Sequence, residues 1–167
     1  MAAPVIVWFR QDLRLDDNPA LAAAARSGAP VLPVYILDDA APGKWAMGGA
    51  SRWWLHRSLA ALETSLSKTG LKLILRRGPA QDVLTDIIAD SGAAAVHWNR
   101  CYERFAIERD TAIKASLRAS SIAVETHNAS LLCEPWTVRT KAGEPFKVFT
   151  PFWRACQDSG IAVETEA

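Results

Sequence analysis

The chain has 167 residues, half of them hydrophobic and 22% charged, with a formal net charge of +1. That length fits one domain with a sizeable core, and the composition excludes a largely disordered chain. The near-neutral balance argues against a module that grips nucleic acid by itself, because phosphate neutralisation supplies most of such affinity.

In chain order, the run Val5, Ile6, Val7, Trp8, Phe9 is continuously apolar, as in a parallel strand buried on both faces. Asn18 as N-cap, Pro19 at the first helical position and Gly28 past the end bracket an Ala-rich helix. A second strand spans 31–37, with Pro33 as an expected irregularity. Residues 38–49 form a loop with Pro42, Gly43, Gly48 and Gly49. A long helix over 50–68 places Leu55, Leu59, Leu62 and Leu66 on one face. Strand 72–76 follows, then a helix opened by Gly78 and Pro79 and closed by Gly92, with Val83, Leu84, Ile87 and Ile88 on one side. Strand 94–98, a helix over 106–119 with Ile113 and Leu117 inward, and strand 122–126 complete the alternation. Residues 135–151 read as irregular with a short hairpin near 141–144, 152–158 as a last helix, and 161–167 as the start of a linker.

Strands alternating with helices predict an α/β fold: a doubly wound, Rossmann-like, five-stranded parallel sheet with helices on both faces. The expected organisation is an α/β domain over 1–132, an extension over 133–160 and the linker. Such sheets take ligands beyond the carboxyl ends of their strands, where the strand order reverses. Three cysteines, Cys101, Cys133 and Cys156, give an odd count at wide spacing, so neither a disulfide framework nor a zinc pattern is read, and a cytoplasmic setting is expected. The start lacks the features of a signal peptide, and no apolar run reaches membrane-spanning length. Glycine-rich nucleotide fingerprints and a nucleophile elbow are absent, and His56, His97 and His127 are too far apart in sequence for a short metal motif. No catalytic or metal-ligating residues are assigned.

Three segments carry a family resemblance. Trp8, Phe9, Arg10, Gln11, Asp12, Leu13, Arg14 and the following Leu15 to Leu21 resemble the opening strand, loop and helix start of the DNA photolyase/cryptochrome family. Trp98 to Glu103, with Glu108, Arg109 and Asp110, is similar to that family's fourth strand end and next helix. Val148 to Trp153 is similar to the stretch where the family leaves its first domain. The resemblance, nearest to a bacterial cyclobutane pyrimidine dimer photolyase, implies an N-terminal domain that holds an antenna chromophore, methenyltetrahydrofolate or 8-hydroxy-5-deazaflavin. It implies a helical C-terminal domain, outside this chain, that holds FAD and the DNA lesion; the chain alone is then expected to be inactive and to bind DNA weakly. A cryptochrome that signals through a protein partner is the alternative.

Arg10, on the loop after the first strand, either borders the ligand crevice or supports the inter-domain contact, or else belongs to a salt-bridged loop that fixes the turn into the helix; the resemblance places the cleft wall along Tyr35, Ile36, Leu37 and Asp38. Arg52 can meet an anionic chromophore or its tail, with Trp53 and Trp54 to stack on the ring. Trp98, Asn99, Arg100, Cys101, Tyr102 and Glu103 form the strongest binding segment; Glu103 either accepts from a pterin amino group or complements the next helix N-terminus. Folate-binding members commonly carry an Asn-Glu pair where this chain has Phe105 and Ala106, so the chromophore stays open. Trp136, Phe146, Phe149, Phe152 and Trp153 are expected to form an apolar face toward the FAD domain, with self-association as a consequence if it is bare.

Overall fold

The computed structural model describes residues 2–160; the linker expected at 161–167 lies outside the described residues. The elements run β1 (Val5–Phe9), α1 (Pro19–Arg26), β2 (Val31–Leu37), α2 (Gly49–Lys68), β3 (Ile74–Arg77), α3 (Ala80–Ser91), β4 (Ala95–Asn99), α4 (Arg104–Ala119), β5 (Ala123–His127) and α5 (Phe149–Asp158). The strands pair in parallel in the order β3-β2-β1-β4-β5, so the doubly wound sheet is present. The chain separates into two compact units, 1–129 and 130 onward, the first holding the whole sheet and α1 to α4.

The apolar pattern explains this layering. Every residue of β1 is buried, and its side chains alternate between two cores. Ile6 and Trp8 join Val34, Ile36, Val96 and Trp98 beneath α3 and α4, against Leu84, Ile87, Ile113 and Leu117. Val5, Val7, Phe9 and Tyr35 face α1 and α2, against Ala20, Ala24, Leu62 and Leu66. The four leucines of α2 point to this second core, with Leu62 and Leu66 buried and Leu55 and Leu59 half-buried beside them.

Local signals act where expected. Asn18 caps α1, its side-chain oxygen accepting from the Leu21 N–H at 3.2 Å, with Pro19 at the first position. Gly78 turns β3 into α3 at φ 140°, a conformation that a side chain would make strained, and a Cβ there would stand 3.3 Å from Val83. Pro33 does not interrupt β2. It sits opposite Val7 of β1, and β3 begins only at Ile74, opposite Val34, so Pro33 is paired on one side alone.

Two expectations in the second unit change. The segment near 141–144 is a turn rather than a strand hairpin, closed by Gly143 N–H to Thr140 O at 2.8 Å and Thr140 N–H to Glu144 O at 2.9 Å. Helix α5 starts at Phe149 instead of 152, because Pro151 falls in the first turn, where its missing N–H has no intrahelical acceptor to lose. On α5, Phe149 and Trp153 are exposed and stack at 6.3 Å, while Phe152 meets Phe146 edge-on at 6.2 Å; Trp136 of the same unit is also exposed. Among the described residues no helix is long and apolar enough to cross a membrane.

Leu84 is fully buried between α3 and the sheet. Truncation of Leu84 to Ala is expected to cost about 2–5 kcal/mol of stability, read from urea unfolding midpoints; a parent-like midpoint would mean that this core does not hold α3.

Candidate functional site

Strand β1 lies between β2 and β4, and the connections after β1 and β4 leave for opposite faces of the sheet. A crevice therefore opens at their carboxyl ends. The loop 10–18 that crosses it is held by a buried polar network. The Asn99 amide donates to Asp12 Oδ2 at 2.6 Å and to Asn18 Oδ1 at 2.8 Å, and its oxygen accepts from the Ala20 N–H at 3.1 Å. Asp12 also accepts from the Arg10 N–H at 2.8 Å, and Asn18 donates to Arg14 O at 3.0 Å. Asp17 takes a left-handed φ of 48°, with the Arg14 guanidinium donating to its carbonyl at 2.8 and 3.1 Å.

The crevice is a cleft of about 1320 Å³. Trp8 and Arg10 form its floor, Tyr35 to Asp38 one wall, and Cys101 with the start of α4 another. Ala50, Ser51, Trp54, Leu55 and Ser58 of α2 and Trp45 of the preceding loop contribute the rim, where Trp45 and Trp54 are 75% and 68% exposed. Such a slot, apolar with a few placed polar groups, suits a flat aromatic ligand.

Its floor is cationic. Asp110 of α4 takes hydrogen bonds from both Arg10 and Arg109, the latter at 2.9 and 3.0 Å, so two guanidinium groups share one carboxylate. Both guanidinium carbons lie near the Trp8 ring, at 4.7 Å for Arg10 and 4.9 Å for Arg109, and Arg10 is 5.9 Å from Trp98. Trp8 and Trp98 meet edge-on at 5.6 Å. The buried Nε1 atoms of both tryptophans, and Nε and Nη2 of Arg10, have no hydrogen-bond partner among the described residues. Buried donors of this kind ask for an acceptor.

The family model for DNA photolyase matches residues 5–166. The chain belongs to the DNA photolyase family. It is 50% identical over 157 residues to a deoxyribodipyrimidine photo-lyase of Agrobacterium fabrum, spanning 94% of this chain and 32% of that protein, in its N-terminal part. It is 43% identical over 152 residues to Cryptochrome-1 of Arabidopsis thaliana, spanning 90% and 22%. A crystal structure of a bacterial class III photolyase from Agrobacterium tumefaciens superposes with a TM-score of 0.87 at 48% identity, covering 96% of this chain and 33% of that one. The chain thus spans about a third or less of the length of these relatives.

Within this photolyase-family domain, the residues singled out from sequence divide into two groups. Arg10, Tyr35, Ile36, Leu37, Asp38, Cys101 and Glu103 all line the cleft. Glu103 does not cap α4 with its side chain; its carboxylate accepts from Gln11 Nε2 at 2.7 Å. The Asp38 carboxylate is largely occupied, accepting from the N–H groups of Ala40, Ala41 and Ala80 at 3.0–3.2 Å. Burial pushes the Tyr35 hydroxyl and the Cys101 thiol up, which keeps both protonated at neutral pH.

The others are engaged away from the cleft. Arg52 pairs with Asp39 at 2.7 and 3.3 Å and donates to Met47 O at 2.9 Å, so its charge fixes the loop before α2. Arg77 joins the same carboxylate at 3.1 Å, and the hydrogen bonds from Arg52 hold Asp39 below the usual carboxylate range. Trp98 packs in the core behind Trp8, Asn99 serves the loop network, Arg100 bonds Thr126 of β5 at 2.9 Å, and Tyr102 bonds Asn128 at 3.1 Å.

Phe105, Arg109 and Glu108 of α4 also line the cleft and were not read as site residues. The sequence places the helix start at 106 and orients it by Ile113 and Leu117, whereas α4 begins at Arg104 and its first turns line the cleft. Phe105 and Arg109 stand i, i+4 on α4, with the Arg109 guanidinium 6.0 Å from the Phe105 ring.

Asp110 and Arg10 have side chains only 12% and 7% exposed. Asp110→Ala strands two cations and is expected to destabilise by about 3–5 kcal/mol in urea unfolding. Arg52→Ala, at a half-exposed pair, is expected to leave the midpoint close to the parent value. Equal losses in both variants would contradict the buried character of the Asp110 cluster.

Proposed function

We propose that this domain holds a light-harvesting chromophore in the cleft and serves a deoxyribodipyrimidine photolyase whose FAD is bound outside these 167 residues. The carrying observation is the aromatic slot at the strand-order reversal, lined by Trp8 with the Arg10 guanidinium over its ring. A reduced folate or an 8-hydroxy-5-deazaflavin is flat, heteroaromatic and anionic in part. Trp54 and Trp45 supply stacking surface, Glu103 an acceptor for ring amino groups, and Arg10 and Arg109 positive charge for a deprotonated oxygen or a carboxylate tail.

In the whole enzyme, the antenna would absorb near-ultraviolet or blue light and pass excitation to reduced FAD. The flavin then gives an electron to a cyclobutane pyrimidine dimer, which splits. The exposed Phe149 and Trp153 pair on α5 fits the face that meets the helical FAD domain, with self-association of the separated chain as its corollary. The second reading is a cryptochrome domain that signals to a protein partner, supported by the 43% identity to a plant cryptochrome. One fold serves both, and lesion-pocket residues in the FAD domain separate them.

Fluorescence titration of the chain with methenyltetrahydrofolate and with 8-hydroxy-5-deazaflavin tests the cleft. One of the two is expected to bind at one equivalent and quench tryptophan emission. Trp54→Ala removes an exposed stacking surface and should weaken that ligand by about three- to tenfold. Glu103→Gln should weaken a pterin by about tenfold. Failure of both chromophores to bind, or parent-like binding by both variants, would overturn the assignment.

A further inference from the structure

Parallel pairing of β4 with β5 brings together residues that wide spacing separates in sequence. His97 stands opposite Glu125, and Asn99 opposite His127, so the three side chains of His97, Glu125 and His127 share one face of the sheet. His97 Nδ1 and His127 Nε2 each lie 3.9 Å from Glu125 Oε2, and one ligand atom from each of the three residues falls within 4.8 Å of the others. The two imidazole rings are 5.8 Å apart, centroid to centroid. Both nitrogens are buried, and neither has a hydrogen-bond partner among the described residues. Two partnerless imidazole nitrogens thus converge on one carboxylate oxygen.

We propose that His97, Glu125 and His127 form a binding site for a first-row transition-metal dication of the zinc type, separate from the chromophore cleft. Two imidazoles and a carboxylate suit zinc, cobalt, nickel or copper, and suit magnesium or calcium poorly, since those prefer all-oxygen shells. With metal–ligand bonds of about 2.0–2.2 Å, tetrahedral neighbours stand about 3.4 Å apart. The two 3.9 Å separations close to that by a small movement of Glu125, whose side chain is 59% exposed, and the two imidazole nitrogens, within 4.8 Å of each other, must draw together by turning of the rings. The exposed carboxylate leaves the remaining coordination positions to water, so the site is open rather than closed.

Charge around the site sets its strength. The Glu125 carboxylate would offset half the charge of a dication, whereas Arg100 and Arg26 lie close enough to His127 to work against any cation. Arg100 also bonds the Thr126 hydroxyl at 2.9 Å. The resulting affinity is expected to fall below that of a closed structural zinc site.

Titration of the chelator-treated chain with cobalt(II), then with zinc(II) by calorimetry, tests this. One equivalent of cobalt is expected to give a visible d–d band with no thiolate charge-transfer band, and zinc to displace it. Glu125→Gln, at an exposed side chain, should retain the parent's melting curve and weaken both ions by at least about tenfold; His127→Gln should weaken them further. Absence of saturable binding, a thiolate charge-transfer band, or unchanged affinity in Glu125→Gln would each overturn the proposal. Because Glu125→Gln decides the matter alone, loss of folding in the histidine variant leaves the test intact.

Discussion

Asn99 ends β4 where the strand order turns back, and both ends of its amide are used inside the protein. Its nitrogen reaches the loop after β1 through Asp12 and Asn18, and its oxygen reaches the first turn of α1 through the Ala20 N–H. A doubly wound sheet has a crevice here by topology, but topology does not set its width. This amide does, by tying the loop on one side of the gap to the strand on the other. Each buried group it satisfies would otherwise cost about 1–3 kcal/mol, so the loop has little freedom to move independently. The position of Arg10, two residues before Asp12, follows from that constraint.

Two carboxylates in the sheet-bearing unit each serve two guanidinium groups, with different consequences. Asp110 does so in a nearly dry setting beside Trp8, where the surplus positive charge is felt strongly across the cleft floor. Asp39 does so at the surface, where water and salt screen the pair with Arg52 and Arg77 and the effect is mainly to shape a loop. The same residue types thus build an anion-friendly floor in one place and anchor a surface loop in the other.

The layering was legible because buried parallel strands are continuously apolar: β1 and β2 announce themselves, and Asn18, Pro19 and Gly92 punctuate the helices. The cleft wall from Tyr35 to Glu103 was legible through the family resemblance and the rule for strand ends. What sequence did not carry were pairings across distance. Nothing local says that Arg52 turns to Asp39, that Arg100 turns to Thr126, or that α4 rolls Phe105 and Arg109 toward Trp8. Likewise His97 and His127 look unrelated along the chain, and only the register of β4 on β5 makes them neighbours.

Among the described residues the sheet ends at β3 on one side and β5 on the other, and an end strand carries backbone groups that its own ladder leaves unpaired. On β3 the strand is four residues long, and its exposed Leu75 is followed by Arg76 and Arg77, both exposed. On β5 the exposed residue at the centre is Glu125. Positive charge therefore guards one margin and negative charge the other. Two copies meeting β3 to β3 or β5 to β5 would juxtapose like charges. The pairing left without that repulsion is β3 against β5, a head-to-tail contact of the kind that propagates into filaments instead of closing into a dimer. The brevity of β3 is what limits that route to aggregation.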